Sequence, residues 1–529
     1  MTSSTAPPAG APGDPGPPSR DRQQTRHPGG PRRPARAWKT ARQVTAAAPH
    51  LDTVLPEEAG RAGLDPAPSP APAPETGPRP ASPAARHLSS VRRHMADPLS
   101  RNGYALVANS GVTGILGLAY WILVARLYPT EVVGRAAAAY AAMNLLAGFT
   151  ALNFNGLLTR FIPQSGSNTR RLVTQAYLVS AAFSVAVAIP FLLTIHRWGP
   201  SYAELGSPVI GLFFIGAVVI WAVFTLQDSV LTGLRSAVWV LFENGLFGVI
   251  KIVLLVLFAA SLTHLGIYLS WMLPALLAVP LVNALIYRRL VPRHAEATLD
   301  CVPPTNRQMG RFLAGDYSGS AFLLATTNLV PVLVAVRIAD VRLTAYFYMA
   351  WMVGGVLDLV GVNMSMSLTV EGAFDASTLA ANCRKALRKI ASILLPCAAL
   401  VALLAHPGLR LFGPGYAEYG APVLELLAVA TLPRALTEVY LGALRAQSRT
   451  SLVAIIQGTR CALMLGLTVV LVTAMGPVGA GLAAVISQGL VALLIIPGLW
   501  RILAGSRRPT AVPTAVPAAE AGTPEVSGP

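Results

Sequence analysis

The sequence predicts an all-α integral membrane protein with about twelve membrane-spanning helices in two pseudo-symmetric six-helix bundles, behind a disordered N-terminal tail. Three observations predict it. Of the 529 residues, 53% are hydrophobic and only 12% charged, against roughly a quarter charged in soluble domains. Mean hydropathy is +0.54. Apolar runs of about 20 residues, the length of a helical crossing, recur after residue 100, and basic residues gather in alternate connections between them.

The tail comes first. Residues 1–98 hold 20 of the 43 prolines, with 13 Lys+Arg against 8 Asp+Glu. Pro66-Ala67-Pro68 and Pro72-Ala73-Pro74 favour extended, solvated backbone. Such a segment buries too little apolar surface to offset its ordering entropy. No apolar core follows its first arginines, so it is not a secretory signal peptide. Met95 is an alternative start.

The spans follow at 103–126, 134–158, 173–195, 207–228, 237–261 and 265–287, then 312–336, 343–369, 387–408, 418–441, 450–474 and 477–500. This divides the chain into a bundle at 99–288, a linker at 289–311, a bundle at 312–503 and a disordered tail at 504–529. With the N-terminus in the cytoplasm, the inner connections and C-terminus carry eighteen basic residues against six outside. That bias places both termini in the cytoplasm. It also accounts for the net charge of +17 without nucleic acid. Cys301, Cys383, Cys397 and Cys461 show no metal spacing and no disulfide framework.

The halves resemble each other. Leu123-Val124-Ala125 leads through a turn at Pro129 into span two, with Asn153 and Asn155. Leu333-Val334-Ala335 leads through a turn at Asp340 into span eight, with Asn363. Parallel repeats of this kind place a cavity between two bundles.

No GxxxxGK[ST] and no HExxH occurs, which argues against an ATP-driven pump or a zinc hydrolase. No cofactor is implied. The remaining signal is ionisable residues within spans, which are costly in lipid and usually face a bundle interior or wet cavity. They are Glu243 and Lys251 in span five, Asp316 in span seven, Asp358 in span eight, Arg434 and Glu438 in span ten, and Arg460 in span eleven. Arg160 ends span two. In span ten, Pro433 can kink the helix, and Arg434, Glu438 and Arg445 share one face. Either that stripe lines a hydrophilic path and holds a phosphate, or Arg434 and Glu438 neutralise each other. Glu243 and Lys251, eight residues apart, are read as finding partners on other helices or as a cavity lining. Arg160 is a cavity residue or an anchor; Asp358 and Asp316 are cavity or coupling carboxylates, or for Asp316 a solvated helix start. Asn155 is a cavity amide or a helix-to-helix bond. Trp121, Trp198, Trp271 and Trp500 fit interface belts.

Trp121-Ile122-Leu123-Val124-Ala125-Arg126-Leu127-Tyr128, then Glu131-Val132-Val133-Gly134, then Leu157-Leu158-Thr159-Arg160-Phe161-Ile162-Pro163, resemble the opening of the oligosaccharide flippases (Wzx-type). These are polysaccharide-biosynthesis proteins of the multidrug/oligosaccharidyl-lipid/polysaccharide (MOP) exporter superfamily, related to MATE transporters. Leu231-Thr232-Gly233-Leu234-Arg235 followed by Lys251 is similar to the family's span four-to-five region. The resemblance implies a MATE-like fold and a cell-membrane flippase, not an enzyme. Its substrate would be an undecaprenyl-pyrophosphate-linked oligosaccharide, moved by alternating access for cell-surface polysaccharide. Membrane lipids, a polysaccharide polymerase and glycosyltransferases would be its partners. On this reading Arg434, Arg460, Arg445, Lys251, Arg160 and Asn155 converge on a substrate cavity, with Glu438, Asp358, Asp316 and Glu243 as coupling or cavity carboxylates. The competing expectations are a cation-coupled multidrug or small-metabolite antiporter of the same superfamily, which needs an acidic, aromatic-lined cavity, and a membrane enzyme acting on polysaccharide.

Overall fold

In a computed structural model, the described residues are 98–262, 265–299, 301, 303–374 and 378–504. The tails expected at 1–98 and 504–529 lie outside them, apart from Pro98 and Ala504. Among the described residues, twelve helices are long and apolar enough to cross a membrane. They are α1 Pro98–Leu127, α2 Thr130–Phe161, α3 Thr169–Leu193, α4 Pro208–Gly233, α5 Val238–Ala259 and α6 Gly266–Leu285. Then come α7 Asn306–Arg337, α8 Val341–Phe374, α9 Leu379–Leu403, α10 Pro414–Ala446, α11 Thr450–Met475 and α12 Pro477–Ala504. All twelve expected spans are present. α6 continues through a π-helical turn, Ile286–Leu290, into a short helix, Val291–Ala297.

Prolines open α4, α10 and α12, where a missing N–H costs no hydrogen bond. At the start of α7, Thr305 and Gln308 form a capping box that satisfies two otherwise open donors. Elsewhere the apolar helices need no internal core of great size, because their outward faces meet lipid. Leu193, Val209, Leu212 and Leu403 are exposed in that way.

The halves share one packing scheme. In the first, α1 packs on α5, α2 on α4, α3 on α4, α4 on α6 and α5 on α6; in the second, α7 packs on α11, α8 on α10, α9 on α10, α10 on α12 and α11 on α12. Local details repeat too. Tyr128 donates its backbone N–H to Val124, and Ile338 donates to Val334, closing α1 and α7 alike. The turns from α4 to α5 and from α10 to α11 bend through Arg235 (φ 55°) and Ser448 (φ 56°), the two non-glycine residues of positive φ among those described. Each turn carries the same long bond, Ser236 N–H to Leu231 and Arg449 N–H to Leu444, the pattern of a left-handed helix cap.

Alternation of the spans gives the bundle two ends: a turn end, with the connections at Pro129 and Asp340, and a linker end, with the short helix Val291–Ala297 and the start of α7. The halves meet along α2, which packs on α7 and α8. They are locked together at the turn end. Arg126 donates to the carbonyls of Leu411 (2.7 Å) and Arg410 (2.8 Å), and Arg342 pairs with Glu131. The Trp121 and Tyr348 rings lie 5.2 Å apart. Gly134 sits so close to Val341 that a Cβ there would overlap the Val341 carbonyl oxygen. Towards the linker end, Val107 and Ile115 of α1 and Val356, Leu359 and Met366 of α8 are exposed.

Candidate functional site

The second half gathers the charges of α8, α10 and α11. Small residues allow α8 and α10 to approach closely; a Cβ on Gly442 would lie 2.8 Å from the Ser365 carbonyl oxygen. That approach sets Arg434 Nη1 2.5 Å from Asp358 Oδ2. One turn further along α10, Glu438 Oε1 accepts from Arg460 Nη1 of α11 at 2.9 Å. Arg434 and Glu438 are therefore not a local pair along their own helix. Each reaches a different neighbour, because both neighbours place an opposite charge at that depth. Arg434 and Asp358 also lie within electrostatic reach of Arg460, so the four groups form one cluster of zero formal charge. Arg445 extends the row, with Nη1 3.0 Å from Ser365 Oγ.

The two pairs differ in setting. Arg460 is fully buried, and its Nε and Nη2 have no partner. The Arg434 and Asp358 side chains remain 15% and 24% exposed, because they line a cavity of about 230 Å³ with Thr326, Thr327, Thr431 and Gln488. Arg434 Nε is buried without a partner, and the bond to Asp358 uses only an Nη1 donor of the guanidinium. An arginine beside a cavity can hold an anionic oxygen bidentately.

Other expected residues do not join this cluster. Lys251 belongs to the first half, buried in a box of aromatic rings: its Nζ is 4.7 Å from the Tyr120 ring centre, 5.2 Å from Trp271 and 5.3 Å from Phe247. It forms a cation–π contact instead of an inter-helix ion pair. Arg160 lies at the linker end, 4.9 Å over the Phe312 ring. There it borders a cavity of about 800 Å³ with Gln164, Thr305, Arg307 and Gln308. Asn155 joins α2 to α4, accepting from Ser229 Oγ at 2.8 Å. The expected convergence of Arg434, Arg460, Arg445, Lys251 and Arg160 on one chamber is thus corrected. Each half buries its own cation, Lys251 in the first and Arg460 in the second. Trp121 and Trp271 are also corrected: both are buried in an aromatic cluster with Tyr140, which lies 4.1 Å from Trp271, and do not sit in an interface belt. The Asp316 and Asn153 side chains fall outside the described residues.

Glu243 on α5 is buried with neither carboxylate oxygen hydrogen-bonded. Beside it, Asp228 of α4 accepts from Asn244 Nδ2 at 3.2 Å through both oxygens. Sequence reasoning missed Asp228, because it stood at the expected end of span four; α4 runs on to Gly233. Gln488, an amide within α12, was also missed. The cysteines form no disulfide, and no cluster of metal-ligating residues occurs among the described residues.

No protein-family model matches this chain, and no curated protein matches it by sequence. Its fold is found among solved structures. The chain is similar to an inward-facing multidrug resistance MATE family transporter of the MOP superfamily, with TM-score 0.61 and 14% identity, over 77% of this chain and 99% of that one. It is similar to the lipid II flippase MurJ in an inward closed conformation, with TM-score 0.60 and 13% identity, over 76% of this chain and 90% of that one. An outward-facing MATE family transporter of the same superfamily gives TM-score 0.52 at 16% identity, over 78% and 97%. These likenesses show the fold: two six-helix bundles of the MATE and MurJ type.

Proposed function

We propose that this chain is an alternating-access flippase of the cell membrane, with both termini in the cytoplasm. Its cargo is a lipid-linked oligosaccharide carried on undecaprenyl pyrophosphate, moved for cell-surface polysaccharide synthesis. A sugar head group cannot cross hydrocarbon, since each hydroxyl would lose its hydrogen bonds. A polar chamber opened to one side at a time removes that barrier. The observation that carries the reading is Arg434: a mid-span guanidinium beside an interior cavity, with donor capacity its carboxylate does not use. Arg160 and Arg307 at the linker end offer an earlier point of attraction for the pyrophosphate. The locked turn end supports an inward-facing state. Glycosyltransferases and a polymerase would supply and consume the cargo.

The test is complementation of a deletion strain. Arg434→Ala should abolish surface polysaccharide and leave lipid-linked precursor in the inner leaflet, while the protein still inserts. Normal polysaccharide with Arg434→Ala would overturn the reading. One observation favours a second reading, a cation-coupled multidrug or metabolite antiporter: a cavity of about 50 Å³ in the first half is walled by Tyr120, Trp121, Tyr140 and Trp271. Unchanged polysaccharide with altered drug susceptibility on deletion would select it.

A further inference from the structure

The first half holds a box of aromatic rings that one of its own side chains fills. Three rings surround Lys251 Nζ: Tyr120 of α1 at 4.7 Å, Phe247 one turn earlier on α5 at 5.3 Å, and Trp271 of α6 at 5.2 Å. All three lie within the roughly 6 Å at which a ring attracts a cation. Lys251 is only 7% exposed, and among the described residues it forms no ion pair. Glu243 stands two turns back on α5, about 12 Å away by helical rise. The rings are therefore what the ammonium has in place of water.

Other residues hold the rings in place. The Tyr120 hydroxyl is hydrogen-bonded to Ser270 Oγ at 2.9 Å. Trp271 is packed by Tyr140 at 4.1 Å and by Trp221 at 4.5 Å. Phe247 lies 5.0 Å from Phe224. A fixed cage of aromatic faces is the arrangement that takes quaternary ammonium ligands. Tyr120 and Trp271 also wall the adjoining cavity of about 50 Å³, whose described lining residues include no carboxylate. An aromatic wall of this kind would draw organic cations if the box stood empty.

We propose that Lys251 is a tethered ligand of this box and sets specificity by keeping organic cations out of the aromatic cavity of the first half. Its side chain is anchored on α5, so its effective concentration at the box is one that a free ligand does not reach. A second cation beside the same two rings would meet the ammonium in surroundings of low dielectric, where like charges repel strongly. The inference concerns what is excluded and not what is carried, so it holds or fails separately from the flippase reading.

The experiment measures binding of ¹⁴C-labelled tetramethylammonium to the purified full chain in nanodiscs. This probe has no N–H, so ring faces and not hydrogen bonds must hold it. Lys251→Ala should bind about one probe per chain, saturably, while the parent and Lys251→Arg, which keeps the charge, bind at most about one-tenth as much. Adding Trp271→Leu to Lys251→Ala removes one wall of the box and should abolish the gain. Neopentyl alcohol, a neutral analogue of the same branching, should leave the probe bound. Each variant is checked as monodisperse. Lys251→Met, whose neutral and flexible chain can swing aside, carries the same expectation and replaces Lys251→Ala if that variant misfolds. Binding by the parent equal to that of the neutral variant, or no binding by the neutral variant, would overturn the proposal. So would a gain that survives Trp271→Leu or is displaced by the alcohol.

Discussion

Replacing Arg460 by Met should destabilise the protein more than almost any other single change, and the structure sets the amount. The guanidinium is fully buried, and its one hydrogen bond goes to Glu438 at 2.9 Å. Removing one partner of a buried pair leaves the other charge uncompensated, at a cost of about 3–5 kcal/mol. Two features pull the figure to the lower end. The departing guanidinium already left two nitrogens unpartnered, and Arg434 and Arg445 still act on Glu438. The expectation for Arg460→Met is therefore about 3 kcal/mol. Adding Glu438→Leu removes the stranded charge, and the double variant should return to within about 1–2 kcal/mol of the parent. Equilibrium unfolding in mixed micelles measures both. With no solvent access, the difference should hold from low to high salt. A single variant as stable as the parent, or a double variant no better than the single, would refute this account of the cluster.

The turn-end lock gives two further expectations. Gly134→Leu places a side chain into the Val341 carbonyl, at a cost of about 1–3 kcal/mol to the closed arrangement; spin-label distances between α2 and α8 at that end should lengthen. Arg126→Ala removes two charge-assisted bonds to the carbonyls of Arg410 and Leu411, and a cysteine placed at Tyr348 should become several-fold more reactive to an impermeant thiol reagent. Lys251→Met should fold at parental yield, because loss of a cation–π contact worth about 2 kcal/mol is offset by no longer burying an ammonium; a drop of several kcal/mol in unfolding free energy would reveal an acceptor that the aromatic box does not show.

The spans were legible because crossing hydrocarbon imposes a length and an apolar composition that few other demands imitate. The helix ends were less so. Span nine was expected from residue 387, but α9 begins at Leu379, since Arg384, Lys385 and Arg388 lie on a helical turn that reads as loop by charge. The residues carrying intramembrane charge were legible one by one. Their partners were not: Arg434 and Glu438 are four apart in sequence, and only the approach of α8 and α11 sends them to Asp358 and Arg460. Lys251 illustrates the limit. An ammonium in sequence suggests a carboxylate partner; Phe247, one turn away on the same helix, is local, but the Tyr120 and Trp271 rings that complete the enclosure come from distant helices.

The tight bends at Arg235 and Ser448 bear on biogenesis. With a connection this short, α4 and α5, like α10 and α11, must enter the bilayer as closed hairpins. Asp228 and Asn244 lie in one hairpin, Glu438 and Arg460 in the other. Each acid therefore meets its helper during translocation, before the remaining helices assemble. Two of the most lipid-averse groups of the chain are thus sheltered by near neighbours in synthesis, while the Arg434–Asp358 pair and the Arg342–Glu131 pair between the bundles form only as later helices dock.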